Sequence, residues 1–200
     1  MNLPDNKTLA RASRAGDNAM MDRTKLPFIQ AKEFGSRHGT TPGIIVLHTA
    51  ENGNDPTGAR GVAEYFTTIT RPASAHYVVD KNEIIHCVQE SDAAWGAPGA
   101  NEDGLHIEHA GTAAWTAADW ARDDVLQMLD LSAQLTASLC ASYGIDPVWL
   151  SPADITADKS GITGHAEVTK AFPLLHGTHT DPGFNFPIAS YIAMVSALMP

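Results

Sequence analysis

Two hundred residues, 44% hydrophobic and 18% charged, describe a chain able to bury one core and exclude disorder over most of its length. With 13 basic against 23 acidic residues the net charge is −10, which gives no footprint for nucleic-acid phosphates or an anionic membrane. No apolar run reaches the roughly 18 residues of a membrane span, and MNLPDNKTLARASRAG lacks a signal-peptide core, so the expectation is synthesis in the cytoplasm without membrane insertion.

Residues 1–24 are polar and carry no sustained apolar period, so they are expected to form an arm or linker ahead of one domain over 25–200. Gly43-Ile44-Ile45-Val46-Leu47-His48 is apolar and rich in β-branched residues, and predicts a buried central strand ending at His48. After a Gly/Asn/Asp/Pro loop at 53–58, Val62, Tyr65, Phe66 and Ile69 recur at helical spacing until Arg71-Pro72. Residues 75–80 and 84–88, separated by Lys81-Asn82, predict a hairpin.

Gly104-Leu105-His106-Ile107-Glu108-His109 alternates, so Leu105 and Ile107 share one side of a strand while His106 and Glu108 face away from the apolar layer. Thr116 and Asp119 form a capping-box-like start, and Val125, Met128, Leu129, Leu135 and Leu139 continue a stripe up to Gly144, predicting one long helix. A loop around Pro147, Pro152 and Gly161 leads to Gly164-His165, an irregular tail, and a closing amphipathic helix from Pro187 to Leu198. Strands interleaved with helices indicate an α/β domain: a single central, mostly mixed sheet flanked by helices, with ligands near strand ends. Cys87 and Cys140 fall within apolar runs and read as buried thiols rather than a disulfide framework.

Nine histidines need sorting, because a histidine is most often a surface or hydrogen-bonded residue. His48 leaves the core at a sheet edge, where a metal could be held rigidly. Gly164-His165-Ala166-Glu167 is a second cluster and His179-Thr180-Asp181-Pro182-Gly183 a third, in which residues two apart on an extended segment point the same way. Local pattern alone leaves both the ligand and the ordinary structural reading open for each.

Taken in order, IIVLH, SAHYVVD with IIHCV, AAWGAPG, GLHIEHAG, GH and HTDPGFNF resemble the N-acetylmuramoyl-L-alanine amidases of the peptidoglycan-recognition-protein superfamily, close to phage endolysin amidase domains, over about residues 40–199. The resemblance implies a Zn2+ cofactor held by His48, His165 and Asp181, with a fourth position open to water. It implies that Glu108 serves as the general base and acid. His179 stands where many relatives have a lysine that stabilises the oxyanion; an imidazolium there would supply the same donor, or His179 would be the third ligand with Asp181 behind it. Where some relatives place a further tyrosine this chain has Ala75, leaving proton transfer to Glu108 or to a residue not identified by motif.

Trp95 lies where relatives line the groove with a tryptophan, and stacking on substrate and packing in the core both stand as readings. His38, His86, His106, His109 and His176 match no catalytic motif and are read as structural, while His76 and His109 are the two candidates for substrate contact. The implied partner is peptidoglycan, through its muramyl peptide, and the implied protein is a monomer that reaches the wall through a phage holin. Its acidity opposes binding to anionic wall polymers, a tension that a wall-binding domain on a longer parent would offset. Rival readings are a peptidoglycan-binding module without catalysis and a zinc peptidase acting within the stem; retention of His48, His165, Asp181 and Glu108 together argues against the first.

Overall fold

A strand that is apolar on both sides is stable only inside a sheet covered on both faces, and Ile44 to Leu47 meet that condition. The computed structural model describes residues 20–53, 58–175 and 178–200; residues 1–19 of the arm, and His176, lie outside the described residues. The first half of the domain contains β1 (Phe34–Ser36), β2 (Ile44–Thr49), α1 (Ala59–Thr68), β3 (Tyr77–Val79), β4 (Ile84–His86), β5 (Asp92–Ala94) and β6 (Gly104–His109). The second contains α2 (Ala117–Trp120), α3 (Asp123–Tyr143), α4 (Pro152–Thr156), β7 (Gly161–Gly164), α5 (His165–Ala171) and α6 (Ile188–Leu198).

The main sheet runs β4-β3-β6-β2-β7; β3, β6, β2 and β7 are parallel and β4 closes one edge antiparallel, so the sheet is mixed and central as expected. Every residue of β2 is buried. Ile45, Leu47, Leu105 and Ile107 meet Met128, Leu135, Tyr191 and Val195 of α3 and α6 on one face. On the other, Val78 and Ile85 meet Ala63 and Phe66 of α1, while Ile44 and Val46 meet Val168 of α5. His48, His106 and Glu108 belong to this second face. Cys87 and Cys140 are both buried and free, and burial pushes each thiol up to about 12.

Three features depart from the sequence reading. The single helix expected from Thr116 is two: the Thr116–Asp119 capping box starts α2, and the chain then extends at Arg122 before α3 runs to Gly144. Trp120, buried against Trp115 and Phe186, anchors the short helix, and Arg122 pairs with Asp124 at 2.9 Å across the break. The stretch read as a loop from 145 holds α4, started by a second capping box of Ser151 and Asp154, and then β7. A small antiparallel sheet of β1 and β5 also lay beyond the pattern, with only three residues in each strand.

The described end of the arm packs against the domain. Met21 lies on the main core, and the Arg23 guanidinium donates to Glu90 at 2.7 Å and to Ser142 at 3.2 Å, and also to Ser138. Tyr143 donates to Glu90 at 2.7 Å and Tyr77 donates to it as well. Burial by itself would raise the Glu90 carboxyl, but these donors outweigh it and hold the group at about 2. A folded value so far below the unfolded one contributes about 3 kcal/mol above the unfolded pKa, lost as the pH falls through the folded value. Urea unfolding of Glu90→Gln is therefore expected to show a loss of about 2–3 kcal/mol at pH 7, with the gap from the parent closing between pH 4.5 and about 2; equal stability at pH 7 would refute the role given to this carboxylate.

Candidate metal centre and groove

Parallel pairing brings the carboxyl ends of β2, β6 and β7 to one edge of the sheet, where ligands of open α/β sheets bind. His48 is the direct neighbour of Glu108 in the register of β2 and β6. Leu47 pairs with Gly164, so His165 emerges beside them as the first residue of α5. Asp181 arrives from the tail, whose course is fixed by the Ala166 amide donating to the Asp181 carbonyl at 2.8 Å.

The side chains converge. His48 Nδ1 lies 3.0 Å from Asp181 Oδ2 and His165 Nδ1 lies 3.3 Å from Asp181 Oδ1. One donor atom from each of the three residues falls within 4.8 Å of the others, and all three residues are buried. Two imidazole nitrogens and a carboxylate oxygen form a donor set suited to a divalent transition metal. Burial alone would raise the Asp181 carboxyl, but the His165 and His48 rings hold it well below the usual carboxylate range. It is an anion in the interior.

Glu108 is the opposite case. Burial first, and then the charges of Asp181 and Glu51, raise its pKa well above the ordinary value. Its Oε2 has no hydrogen-bond partner among the described residues. Glu51 is committed elsewhere: it accepts from Thr49 Oγ1, Thr112 Oγ1 and the Ala113 amide, each at 2.7 Å, tying the end of β2 to the loop after β6. A carboxyl with a raised pKa and a free oxygen beside a possible metal position has the properties of a proton carrier.

The centre opens into a groove of about 840 Å³, walled by Val62, Tyr65, Arg71, Trp95, Leu175 and His179. Trp95 is half-buried and lines this groove, while its backbone amide donates to Ser74 Oγ at 2.9 Å. His179 stacks on His165 with ring centroids 3.9 Å apart, at the exposed side of the cluster. Partial burial and then the His165 ring lower its pKa. The metal-competent group consists of His48, His165 and Asp181; His179 Nδ1 is 3.8 Å from Asp181 Oδ1 and is not part of it.

Two expected substrate contacts are corrected. His76 is wholly buried behind the site, where its Nδ1 accepts from the His106 amide at 3.0 Å; burial, and then the Arg37 guanidinium, drive its pKa down to about 3. His109 lies on the opposite face of β6, its Nδ1 donating to the His48 carbonyl at 2.8 Å and its Nε2 meeting Ser132 Oγ at 2.7 Å. Alternation explains the second case: a residue next to Glu108 in a strand must point the other way. His106, read as structural, is in direct contact with His48, its Nδ1 3.0 Å from His48 Nε2. Its position two residues before Glu108 on the same strand face was the signal that could have marked it.

Comparison with known proteins fits this geometry. Residues 38–184 match the family Amidase_2, N-acetylmuramoyl-L-alanine amidase, and the chain belongs to that family. It is similar to N-acetylmuramoyl-L-alanine amidase A of Achromobacter lyticus, at 29% identity over 162 residues, covering 76% of this chain and 82% of the relative. Among solved structures it resembles Staphylococcus aureus hydrolase AmiA with its ligand at a TM-score of 0.64 and 18% identity, covering 86% of this chain and 82% of the other. It also resembles the endolysine LysCS of Clostridium intestinale, at a TM-score of 0.57 and 18% identity, covering 86% and 95% of the two chains. These structures share the fold.

A metal that binds only the folded state adds stability, about 2.7 kcal/mol at one hundred times its dissociation constant. Thermal unfolding is expected to shift upward when a divalent transition-metal ion is added to the chelated parent, and to stay in place for Asp181→Ala. An equal shift in both proteins would place the ion elsewhere.

Proposed function

We propose that this chain is a zinc-dependent amidase that hydrolyses the bond between the lactyl group of N-acetylmuramic acid and the first L-alanine of the peptidoglycan stem. The observation that carries the reading is the meeting of His48, His165 and Asp181 beside Glu108 at one sheet edge. Family membership supports the bond chosen. The donor set fits zinc, which takes imidazole and carboxylate together and leaves an open position when the protein supplies three ligands.

When bound, the ion supplies a Lewis acid for the scissile carbonyl and lowers the pKa of water towards about 7. The remaining work falls to this chain's side chains. Glu108, with one oxygen free, takes the proton of the attacking water as a carboxylate and returns it to the departing alanine nitrogen. His179, at the mouth of the centre, offers a ring N–H to the oxygen on which negative charge develops. Trp95 and Tyr65, on the groove wall, provide faces against which a sugar ring or the alanine methyl can pack.

The groove is open and holds mixed polar and apolar walls, as a polymer substrate requires. A lytic role, with access to the wall through a holin, is the setting we favour, in line with the endolysin-like motifs of the sequence. A binding module would not need a carboxyl of raised pKa next to the donor set, so the catalytic reading is preferred to it.

Purified peptidoglycan digested with the protein is expected to release stem peptides with a free L-alanine amino terminus, seen by mass analysis, and to stop doing so when a chelator is present. Glu108→Ala is expected to keep stoichiometric zinc while losing about 10²–10⁴-fold in turnover. New termini within the stem, with the lactyl–alanine link intact, would overturn the assigned bond.

A further inference from the structure

His106 is a buried imidazole that the proposed reaction does not use, and its hydrogen bonds have one consistent reading. Its Nε2 lies 3.2 Å from the Ala100 carbonyl oxygen, and its Nδ1 lies 3.0 Å from His48 Nε2. A carbonyl oxygen only accepts, so the proton of the neutral ring is on Nε2 and Nδ1 is left as an acceptor. The proton between the two rings then belongs to His48 Nε2. The other ring nitrogen of His48, Nδ1, is thereby turned to Asp181, 3.0 Å from Oδ2.

The surrounding chain is shaped for this ring. A Cβ at Gly96 would stand 2.5 Å from His106 Nδ1, and one at Gly104 would stand 2.9 Å from His106 Nε2 and collide with the Ala100 oxygen. Both glycines therefore clear the space that an imidazole fills. The Ala100 carbonyl is itself held in a turn in which the Ala100 amide donates to Ala97 O at 2.9 Å and the Ala97 amide donates to Asn101 Oδ1 at 2.8 Å.

We propose that His106 is a positioning residue: by accepting from His48 Nε2 it locks that ring with Nδ1 turned towards Asp181 and the place a metal would take. Outer partners of this kind fix a ligand's tautomer and orientation. The ring is anchored to the backbone at Ala100 rather than to a carboxylate, so the lock adds no negative charge to a region that already holds Asp181 and Glu108. The use of the lock for metal binding rests on the zinc reading above; the placing of the ring does not.

The test uses the full chain labelled with ¹⁵N-histidine and three proteins: the parent, His106→Leu and His106→Asn, in which the amide oxygen can accept near the place of Nδ1. Long-range ¹H–¹⁵N spectra of the chelated proteins report the His48 tautomer, and titration with Zn2+ reports affinity. The parent and His106→Asn are expected to show His48 protonated on Nε2, whereas His106→Leu shows the Nδ1–H form or a mixture and binds Zn2+ about 10–100-fold more weakly. A parent His48 that carries no proton on Nε2 overturns the proposal, as does a His106→Leu protein with the parental tautomer and affinity. Should His106→Leu fail to fold, by circular dichroism, the parent tautomer and its retention in His106→Asn decide the question. The expected tautomers in a parent that binds no Zn2+ would sustain the lock and sink the zinc reading instead.

Discussion

An ionised carboxylate withdrawn from water must find positive charge or a full set of donors, because the cost of leaving it bare is several kcal/mol. Asp181 is such a group: 8% exposed, held ionised, and set between His48 and His165. His48 Nδ1 and His165 Nδ1 face its two oxygens across 3.0 and 3.3 Å. The three side chains meet at one point that could hold a metal ion, and the tail from 178 to 186 delivers Asp181 there.

The sheet makes this delivery possible. Because β2, β6 and β7 are parallel, their carboxyl ends lie together, and a side chain at the end of each reaches the same spot without long loops. The two faces divide the labour. Odd-numbered residues of β2 and β6 bury Ile45, Leu47, Leu105 and Ile107 under α3 and α6, which hold the strands rigid. Even-numbered residues turn His48, His106 and Glu108 to the site. The same carboxylates also tune one another: Asp181, held low, helps to raise Glu108, so one acid stays an anion while its neighbour can carry a proton.

Much of this was legible in the sequence, for physical reasons that differ by residue. Period-two alternation placed Glu108 on the site face and an unbroken apolar run placed His48 at a strand end. His165 and Asp181 are joined to them only by the fold, and it was the ordered set of motifs that singled them out. β7 escaped notice because Gly161-Ile162-Thr163-Gly164 is short and glycine-rich, with its pairing to β2 supplied by tertiary contacts. The split between α2 and α3 was hidden because the apolar period continues through Arg122, and backbone geometry alone marks the break. His76 and His109 were misread as substrate contacts since burial behind or beneath a strand leaves no mark on a single position. His106 went unassigned for the related reason that its partner, His48, lies 58 residues away along the chain.

Diffraction data recorded on either side of the zinc absorption edge test the central claim most directly. The account predicts one anomalous peak, about 2.0–2.2 Å from His48 Nδ1, from a ring nitrogen of His165 and from a carboxylate oxygen of Asp181. A zinc-loaded crystal with no peak at that point, or with its peak on residues other than these three, would contradict it.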